Sequence, residues 1–566
     1  MASSKKKQKA KKGGTTKTVG SVMVVGGGIA GTQAALDLAE SGYYVYLVEK
    51  SSAIGGVMAQ LDKTFPTNDC SMCILSPKLV ECGRHLNIEI ITMADVEKVE
   101  GEAGNFSVRV RERPRYIDMD KCIACGVCAE KCPKKVDDEF NTGLNKRKSA
   151  YVKYPQAVPL KYAIDDETCI YFVKGKCKCK FCEKFCPADA VDLEQEGQIH
   201  QLEVGSIILA PGFKPFDPKV YEGYGYGTYP NVLTSMEFER ILSASGPFQG
   251  HLVRPSDQET PKKIAWLQCV GSRDLHSGSH EYCSGVCCMY AIKEAIIAKE
   301  HAHEDLDTAI FFMDMRTYGK DFDRYYERAK DEHGVRFVRS RVHSIESSAS
   351  NSGDLNVQYV DEEGTLQEED FDLVVLSIGL EISKDLHNLA ETCKVELDEN
   401  GFAEASCFRP VETSRPGVFT CGAFSGPKDI PYSVMEASAA SAASAALLAD
   451  SRNSLSKSKT YTDEVPVTDE EPRIGVFVCH CGINIGSVVD VPAVREYAAT
   501  LPQVAYVADN LFSCSEDTQH LLREAITEHK LNRVVVAACT PRTHEPLFQE
   551  TIREAGLNRY LFELAN

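Results

Sequence analysis

Cys122, Cys125, Cys128 and Cys132 stand at Cys-x2-Cys-x2-Cys-x3-Cys spacing, and Pro133 follows them. A tight loop at that spacing converges three thiolates on one [4Fe–4S] cubane, and its fourth cysteine serves a second cluster. The partner run is Cys169, Cys177, Cys179, Cys182 and Cys186, ending in Pro187, with its first gap stretched by Lys174-Gly175-Lys176. The ligands therefore cross over. Cys122, Cys125, Cys128 and Cys186 hold one cluster, and Cys132, Cys169, Cys179 and Cys182 hold the other. Cys177 is either spare or replaces Cys179. Zinc is the alternative metal, and the Cys-Pro ending argues against it.

The chain holds 23 cysteines in 566 residues. A secreted disulfide scaffold would be short; thiols at this density in a long chain without an export signal point to metal or redox chemistry. Cys269, Cys283, Cys287 and Cys288 form a third group: a cluster, buried thiols or a redox disulfide. Cys479, Cys481, Cys514 and Cys539 form a fourth, as a cluster or as unligated thiols. Cys479 and Cys539 each follow an expected strand, so they can meet at one edge of a parallel sheet. Cys70-x2-Cys73 with Cys82 reads as a redox dithiol, a partial cluster site or core thiols. Cys393, Cys407 and Cys421 have no ligand spacing and are read as structural.

Gly26-Gly27-Gly28-Ile29-Ala30-Gly31 fits G-x-G-x-x-G, after an apolar strand (21–25) and at the start of a helix. Gly26 permits the tight turn, Gly28 the approach of a pyrophosphate, and Gly31 close helix packing, with the anion at the helix N-terminus. Glu49 ends the next strand, 18 residues after Gly31, and is placed to accept from ribose hydroxyls; Lys50 and Gly56 belong to the same expected site. The motif alone leaves FAD or NAD open. Two later stretches favour FAD: Ala210-Pro211-Gly212, similar to a second flavoprotein signature, and Ser414 to Gly422, similar to the strand that closes over the flavin in disulfide-reductase-like proteins. That strand is usually followed by Asp, whereas Ala423 stands here. A second lobe opens at Ile264–Leu267 but continues as Gln268-Cys269-Val270-Gly271-Ser272-Arg273, without a phosphate cradle. It is not expected to bind a nicotinamide nucleotide.

The elements that must position these groups read as α/β. Strands are expected at 21–25, 44–48, 205–210, 264–267, 373–376, 474–478 and 533–537, with helices at 29–41 and through the alanine-rich stretch 437–449. The organisation is a disordered Lys-rich tail (1–19), an FAD domain in three parts (20–114, 201–261 and 386–449), an inserted two-cluster domain (115–200), a degenerate nucleotide lobe (262–385), a linker (450–472) and a C-terminal α/β cluster domain (473–566). Lys+Arg of 63 against Asp+Glu of 82 gives −19, which argues against a general nucleic-acid binder. The tail reads as solvated rather than as a nucleic-acid or membrane arm. The 13-residue run from Ala437 to Ala449 is too short and polar to span a bilayer.

Taken together the chain resembles the A subunits of heterodisulfide reductases, which are iron–sulfur flavoproteins. The resemblance rests on Val24 to Gly31, Leu61-Asp62-Lys63-Thr64-Phe65-Pro66-Thr67-Asn68-Asp69-Cys70, Cys269-Val270-Gly271-Ser272-Arg273-Asp274 and Gly426 to Pro431, and covers nearly everything after residue 20. It implies a thioredoxin-reductase-like FAD fold with an inserted bacterial-type ferredoxin, a cysteine cluster in place of NADPH, and flavin-based electron bifurcation or confurcation in an anaerobic cytoplasm. It implies FAD bound by Gly26, Gly28, Ile29, Ala30, Gly31, Glu49, Lys50, Gly56, Ala210, Gly212 and Gly422, and a flavin-tuning candidate in Lys428. The implied partners are proteins resembling the B and C subunits of that reductase, a hydrogenase or formate-dehydrogenase-type input subunit, and ferredoxin, in an oligomeric complex without a membrane span. Two departures stand out. The segment from Gly475 resembles the family's N-terminal cluster domain yet follows the flavin domain, and the family usually continues beyond Asn566 into another cysteine-containing stretch. A second flavin half is then expected to be lost, truncated or encoded separately, with one ligand of the last cluster beyond the end. The alternatives are a non-bifurcating relay in a benzoyl-CoA-reductase-type or quinone-linked assembly, and an NADPH-dependent enzyme like the glutamate synthase small subunit, which the missing second glycine fingerprint disfavours.

Overall fold

The computed structural model describes residues 18–566 apart from 303–304, 350–352, 459–460, 462, 468, 482–484, 487 and 540. Most of the expected tail therefore lies outside the described residues. Ser21–Val25 is apolar on both faces and almost wholly buried, as a central parallel strand must be. It pairs in parallel with Tyr44–Val48 and Ser206–Leu209, and the sheet order is Val418–Thr420, Ser206–Leu209, Ser21–Val25, Tyr44–Val48, Ile88–Ile91. Strands from three distant parts of the sequence thus make one sheet. The helices Ile29–Glu40 and Ile430–Leu447 pack against each other beside it. Asp429 caps the second of these by accepting from Tyr432 N at 2.9 Å, and Pro431 sits in its first turn, so the helix starts well before the alanine run.

The second lobe repeats the plan: a parallel sheet in the order Val232–Thr234, Leu373–Ile378, Lys263–Val270, Asp307–Phe312, Arg336–Arg339. Each lobe carries a three-stranded antiparallel sheet, Ala94–Glu102, Asn105–Glu112 and Gln198–Val204 in the first, and Ser344–Ser347, Leu355–Val360 and Leu366–Phe371 in the second. The cysteine-rich insert is an excursion from the first of these. Glu112 and Gln198, its two ends, lie opposite each other in antiparallel register, so the insert leaves and returns at one point. The final unit is a parallel sheet ordered Val504–Asn510, Ile474–Cys479, Arg533–Ala537, Phe562–Ala565.

The stretch read as a linker is stitched down. Asn453 N donates to Gly42 O at 2.9 Å, and Asn87 exchanges hydrogen bonds with the Lys457 backbone at 2.5 and 3.1 Å. Val465 N then reaches Gly556 O in the last unit. Among the described residues no helix is long and apolar enough to cross a membrane.

The helix Ser235–Leu242 connects the lobes. Its start is a capping box: Thr234 N donates to Glu237 Oε2 at 2.6 Å, and Glu237 N donates to Thr234 Oγ1 at 3.3 Å. Its Phe238 packs edge-on against Trp266, the chain's single tryptophan, at 5.5 Å between ring centres. Thr234→Ala should cost about 1 kcal/mol of local stability. The expected outcome is a lower urea midpoint for the red shift of Trp266 emission; an unchanged midpoint would mean the box contributes nothing.

Candidate functional site

A cleft of about 570 Å³ runs between the two lobes. Its floor is the C-terminal edge of the first parallel sheet. Gly26, Gly28, Ile29 and Ala30 line it from the first strand–helix turn, Ala210, Pro211 and Gly212 from the second strand end, and Cys421, Gly422 and Ala423 from the third. The three glycines of the fingerprint have different neighbours. Gly26 has φ +102°, and a Cβ there would meet Ala210 O at 2.2 Å. A Cβ on Gly31 would meet Gly26 O at 1.8 Å, so Gly31 seats the helix on the turn without lining the cleft. Gly28 faces open space, with Gly56 Cα the nearest atom at 3.9 Å. Gly28 is also the N-cap of the helix and no side chain caps it. Backbone donors and the positive end of the helix dipole are therefore left for an anion. A glycine cradle at an uncapped helix start, in a cleft of this length, fits the pyrophosphate of FAD.

Glu49 lines the cleft, but its carboxylate already accepts from Gly27 N at 2.7 Å and Ser51 N at 2.8 Å. It braces the glycine turn and keeps lone pairs for ribose hydroxyls. Lys50 does not reach the cleft; it is exposed and ion-paired with Asp385 at 2.5 Å. Lys428 lines the cleft with its charge offset by Glu436 at 2.6 Å, and the same carboxylate accepts from Gly422 N at 3.1 Å.

The opposite wall holds a group that no spacing in the sequence announces. Lys293 and Glu239, both almost fully buried, form an ion pair, and Glu239 also accepts from Asp62 N at 2.9 Å. Trp266 Nε1 donates to Glu294 Oε2 at 2.8 Å. Burial, with the Glu239 charge beside it, holds Glu294 well above the usual carboxylate range. Glu239, Lys293 and Glu294 all line the cleft. They come from two helices, Ser235–Leu242 and Cys287–His301, whose sequence pattern does not tell a buried charge from a solvated one.

None of the 23 cysteines is joined in a disulfide. In the insert, the short helices Val127–Lys131 and Phe181–Phe185 lie against each other. Cys132, Cys169, Cys179 and Cys182 lie near one another, with Cys177 beside Cys179, and Cys128 neighbours Cys122, Cys125 and also Cys182. Cys186 Sγ accepts from Ala190 N at 3.3 Å, while Cys177 turns to Ile170 O at 3.4 Å. Burial pushes the Cys128 thiol up to about 12 and that of Cys182 up to about 11; iron would displace those protons.

Cys269, Cys283, Cys287 and Cys288 also converge, at the end of Lys263–Val270 and the start of the helix Cys287–His301. Burial is the main cause that holds Cys269, Cys287 and Cys288 in their protonated forms, with the neighbouring thiols adding to it. The helix's N-cap, Val286, lines the flavin cleft. The Cys479 group gathers at the C-terminal edge of the last sheet, where Cys70 and Cys73 join it. Cys82 does not; it is buried within its helix against Thr32 O at 3.7 Å. Cys393 is core and Cys407 exposed, whereas Cys421 lines the cleft.

Three families match stretches of the chain: "FAD dependent oxidoreductase" over residues 21–69, "4Fe-4S binding domain" over 115–136 and "Pyridine nucleotide-disulphide oxidoreductase" over 290–443. A protein of Archaeoglobus profundus similar to the A subunit of heterodisulfide reductase is 42% identical over 499 residues, covering 81% of this chain and 69% of that protein. The second of the iron–sulfur A subunits of CoB–CoM heterodisulfide reductase in Methanopyrus kandleri is 47% identical over 430 residues. The A subunit of the H2:CoB–CoM heterodisulfide,ferredoxin reductase of Methanothermobacter marburgensis is 43% identical over 428. Each of these two alignments covers 75% of this chain, which spans 64% and 63% of those relatives' own lengths. Among solved structures, the thioredoxin reductase of Lactococcus lactis aligns over 76% of this chain and 99% of its own, at 14% identity and a TM-score of 0.42.

The glycine geometry separates folding from binding. Gly28→Ala adds a methyl group to open cleft space and should leave the fold intact while lowering flavin occupancy at least about tenfold, the effect of a lost anion contact of about 1.4 kcal/mol. Gly26→Ala should destabilise the lobe itself, since φ is positive and the Cβ meets backbone. Flavin absorbance per chain with a thermal melt checks both; full flavin retention in Gly28→Ala would contradict the assignment.

Proposed function

The chain belongs to the family of heterodisulfide reductase A subunits, oxidoreductases with FAD and iron–sulfur cofactors, and on that premise we propose that it divides electron pairs at its flavin. The single observation that carries this reading is the position of the cleft between two thiol clusters. Val286 links it to the Cys269 group, and Ile74, next to Cys73, links it to the Cys479 group. FAD, when bound, takes up electrons in pairs and releases them singly.

The chain's own residues supply binding, proton handling and spacing. The turn Gly26–Gly31, braced by Glu49, holds the pyrophosphate. Glu294 and the Lys293–Glu239 pair stand in the cleft wall, where flavin reduction would demand protons. Lys428, compensated by Glu436, steadies the closing turn at Gly422. In place of a nicotinamide cradle the second lobe has Cys269, Cys283, Cys287 and Cys288, which would hold a cluster able to take single electrons from the flavin. The insert would hold two further clusters, on Cys122, Cys125, Cys128 and Cys186, and on Cys132, Cys169, Cys179 and Cys182.

In this reading a hydrogenase- or formate-dehydrogenase-type partner delivers the pair. Of each pair, one electron goes to ferredoxin and the other to proteins resembling the B and C subunits of the reductase, and two such pairs supply the two electrons that, with two protons, reduce a disulfide to two thiols. Residues on those partners complete the reaction, and the complex works in an anaerobic cytoplasm.

Anaerobic titration tests this reading. A low-potential one-electron donor should bleach the flavin's visible absorption completely, NADH and NADPH should not, and no persistent flavin radical should accumulate. Bleaching by NADPH would overturn the replacement of the nicotinamide site. A stable radical across a wide potential window would reduce the protein to a simple relay.

A further inference from the structure

Between the flavin lobe and the last sheet lies a cavity walled by Cys70 and Cys73 from one side and Cys479, Cys481, Cys514 and Cys539 from the other. Cys73 Sγ and Cys539 Sγ, 466 residues apart in sequence, are separated by 3.9 Å. His544 projects into the same cavity and is completely buried. Neither of its ring nitrogens has a nitrogen or oxygen partner among the described residues. One of them lies within 4.8 Å of both sulfurs. The polar neighbour of this buried imidazole is the Cys539 thiol, and soft sulfur donors around it are the donor set of a metal site.

The placement of Cys73 follows from how the last unit docks. The helix Ser71–Arg84 has Cys70 as its N-cap and Cys73 in its first turn. The same helix carries the contacts that seat the last unit: Ser76 Oγ donates to Cys514 O at 3.2 Å, and Arg84 donates to Thr551 Oγ1 at 3.1 Å. On the other side, Ile474–Cys479 and Arg533–Ala537 are adjacent parallel strands, so Cys479 and Cys539 emerge at one edge. Docking brings the helix start and the sheet edge face to face.

We propose that the iron–sulfur cluster of the C-terminal domain is shared across this seam, with Cys73 of the flavin lobe as a ligand beside Cys539. The inference rests on the reading above that the Cys479 group holds a cluster, and it adds a ligand from another domain. It also sets the electron route: Ile74, the residue after Cys73, lines the flavin cleft, and Leu61 lines both cavities. The cluster would then sit one residue from the flavin site and would form only when the two units are docked.

Iron, acid-labile sulfide, zinc and FAD are measured in the full chain purified anaerobically, with low-temperature EPR of the reduced protein, for the parent, Cys73→Ala, Cys73→Ser and Cys514→Ala. Cys73→Ala should lose as much iron as Cys514→Ala, about four atoms per chain for one cubane, with FAD and the insert's EPR signals retained. Cys73→Ser, which keeps a weaker oxygen ligand, should keep iron or lose part of it with a changed EPR signal, and it decides the matter if Cys73→Ala also loses FAD. Parent-like iron and EPR in both Cys73 variants, with iron lost in Cys514→Ala, overturns the shared ligand alone. Parent-like values in Cys514→Ala as well overturn the cluster on which the inference rests. Zinc in place of iron at this site overturns it too.

Discussion

A parallel sheet delivers all its strands' C-terminal ends to one edge, and the flavin cleft and both thiol groups outside the insert depend on that constraint. In the first lobe the turns after Val25, Leu209 and Thr420 meet there and make the floor of the flavin cleft. In the second lobe the corresponding edge presents Cys269 and the start of the helix at Cys287. In the last unit it presents Cys479 and Cys539. The chemistry differs among the three sheets while the positional logic is the same: glycines where backbone must approach an anion, cysteines where metal is to be held.

Holding the three edges in register takes buried polar contacts, because apolar packing alone has little directional preference. Arg240 is completely buried, yet it donates to Asn141 Oδ1 and Gln60 O, both at 2.9 Å, and lies over the Phe140 ring at 4.8 Å. One side chain from the second lobe thereby ties the insert and the flavin lobe together. The neighbouring Glu239 pairs with Lys293 and binds the backbone at Asp62. Removing one partner of such a pair would strand a charge in the interior, so the groups that serve the cleft also fix the lobes that form it.

Much of this was legible in the residues. The strands at 21–25, 44–48 and 533–537 occur as read, because continuous apolar runs bounded by glycine or charge leave few alternatives. The insert was read from a change in composition; the strand that follows it, Gln198–Val204, carries no apolar run to mark where it begins. Lys50 was read into the flavin site by its place after Glu49, but a strand end turns successive side chains to opposite faces and sends it to Asp385. Lys293, Glu239 and Glu294 were not legible, because charged residues within a helix read as solvated positions until the fold buries them. The meeting of Cys73 with Cys539 was hidden for another reason: nothing local to either residue encodes which surface the last unit covers.

The central claim is that one flavin is surrounded by four cluster sites, and the most direct test is the iron, acid-labile sulfide and FAD content of the chain after strictly anaerobic purification. Four cubanes require about 16 iron atoms beside one FAD, and that ratio is the predicted result. A ratio of about 8 irons per FAD would leave clusters only in the insert, make the Cys269 and Cys479 groups plain thiols, and contradict the account by removing both electron routes from the flavin.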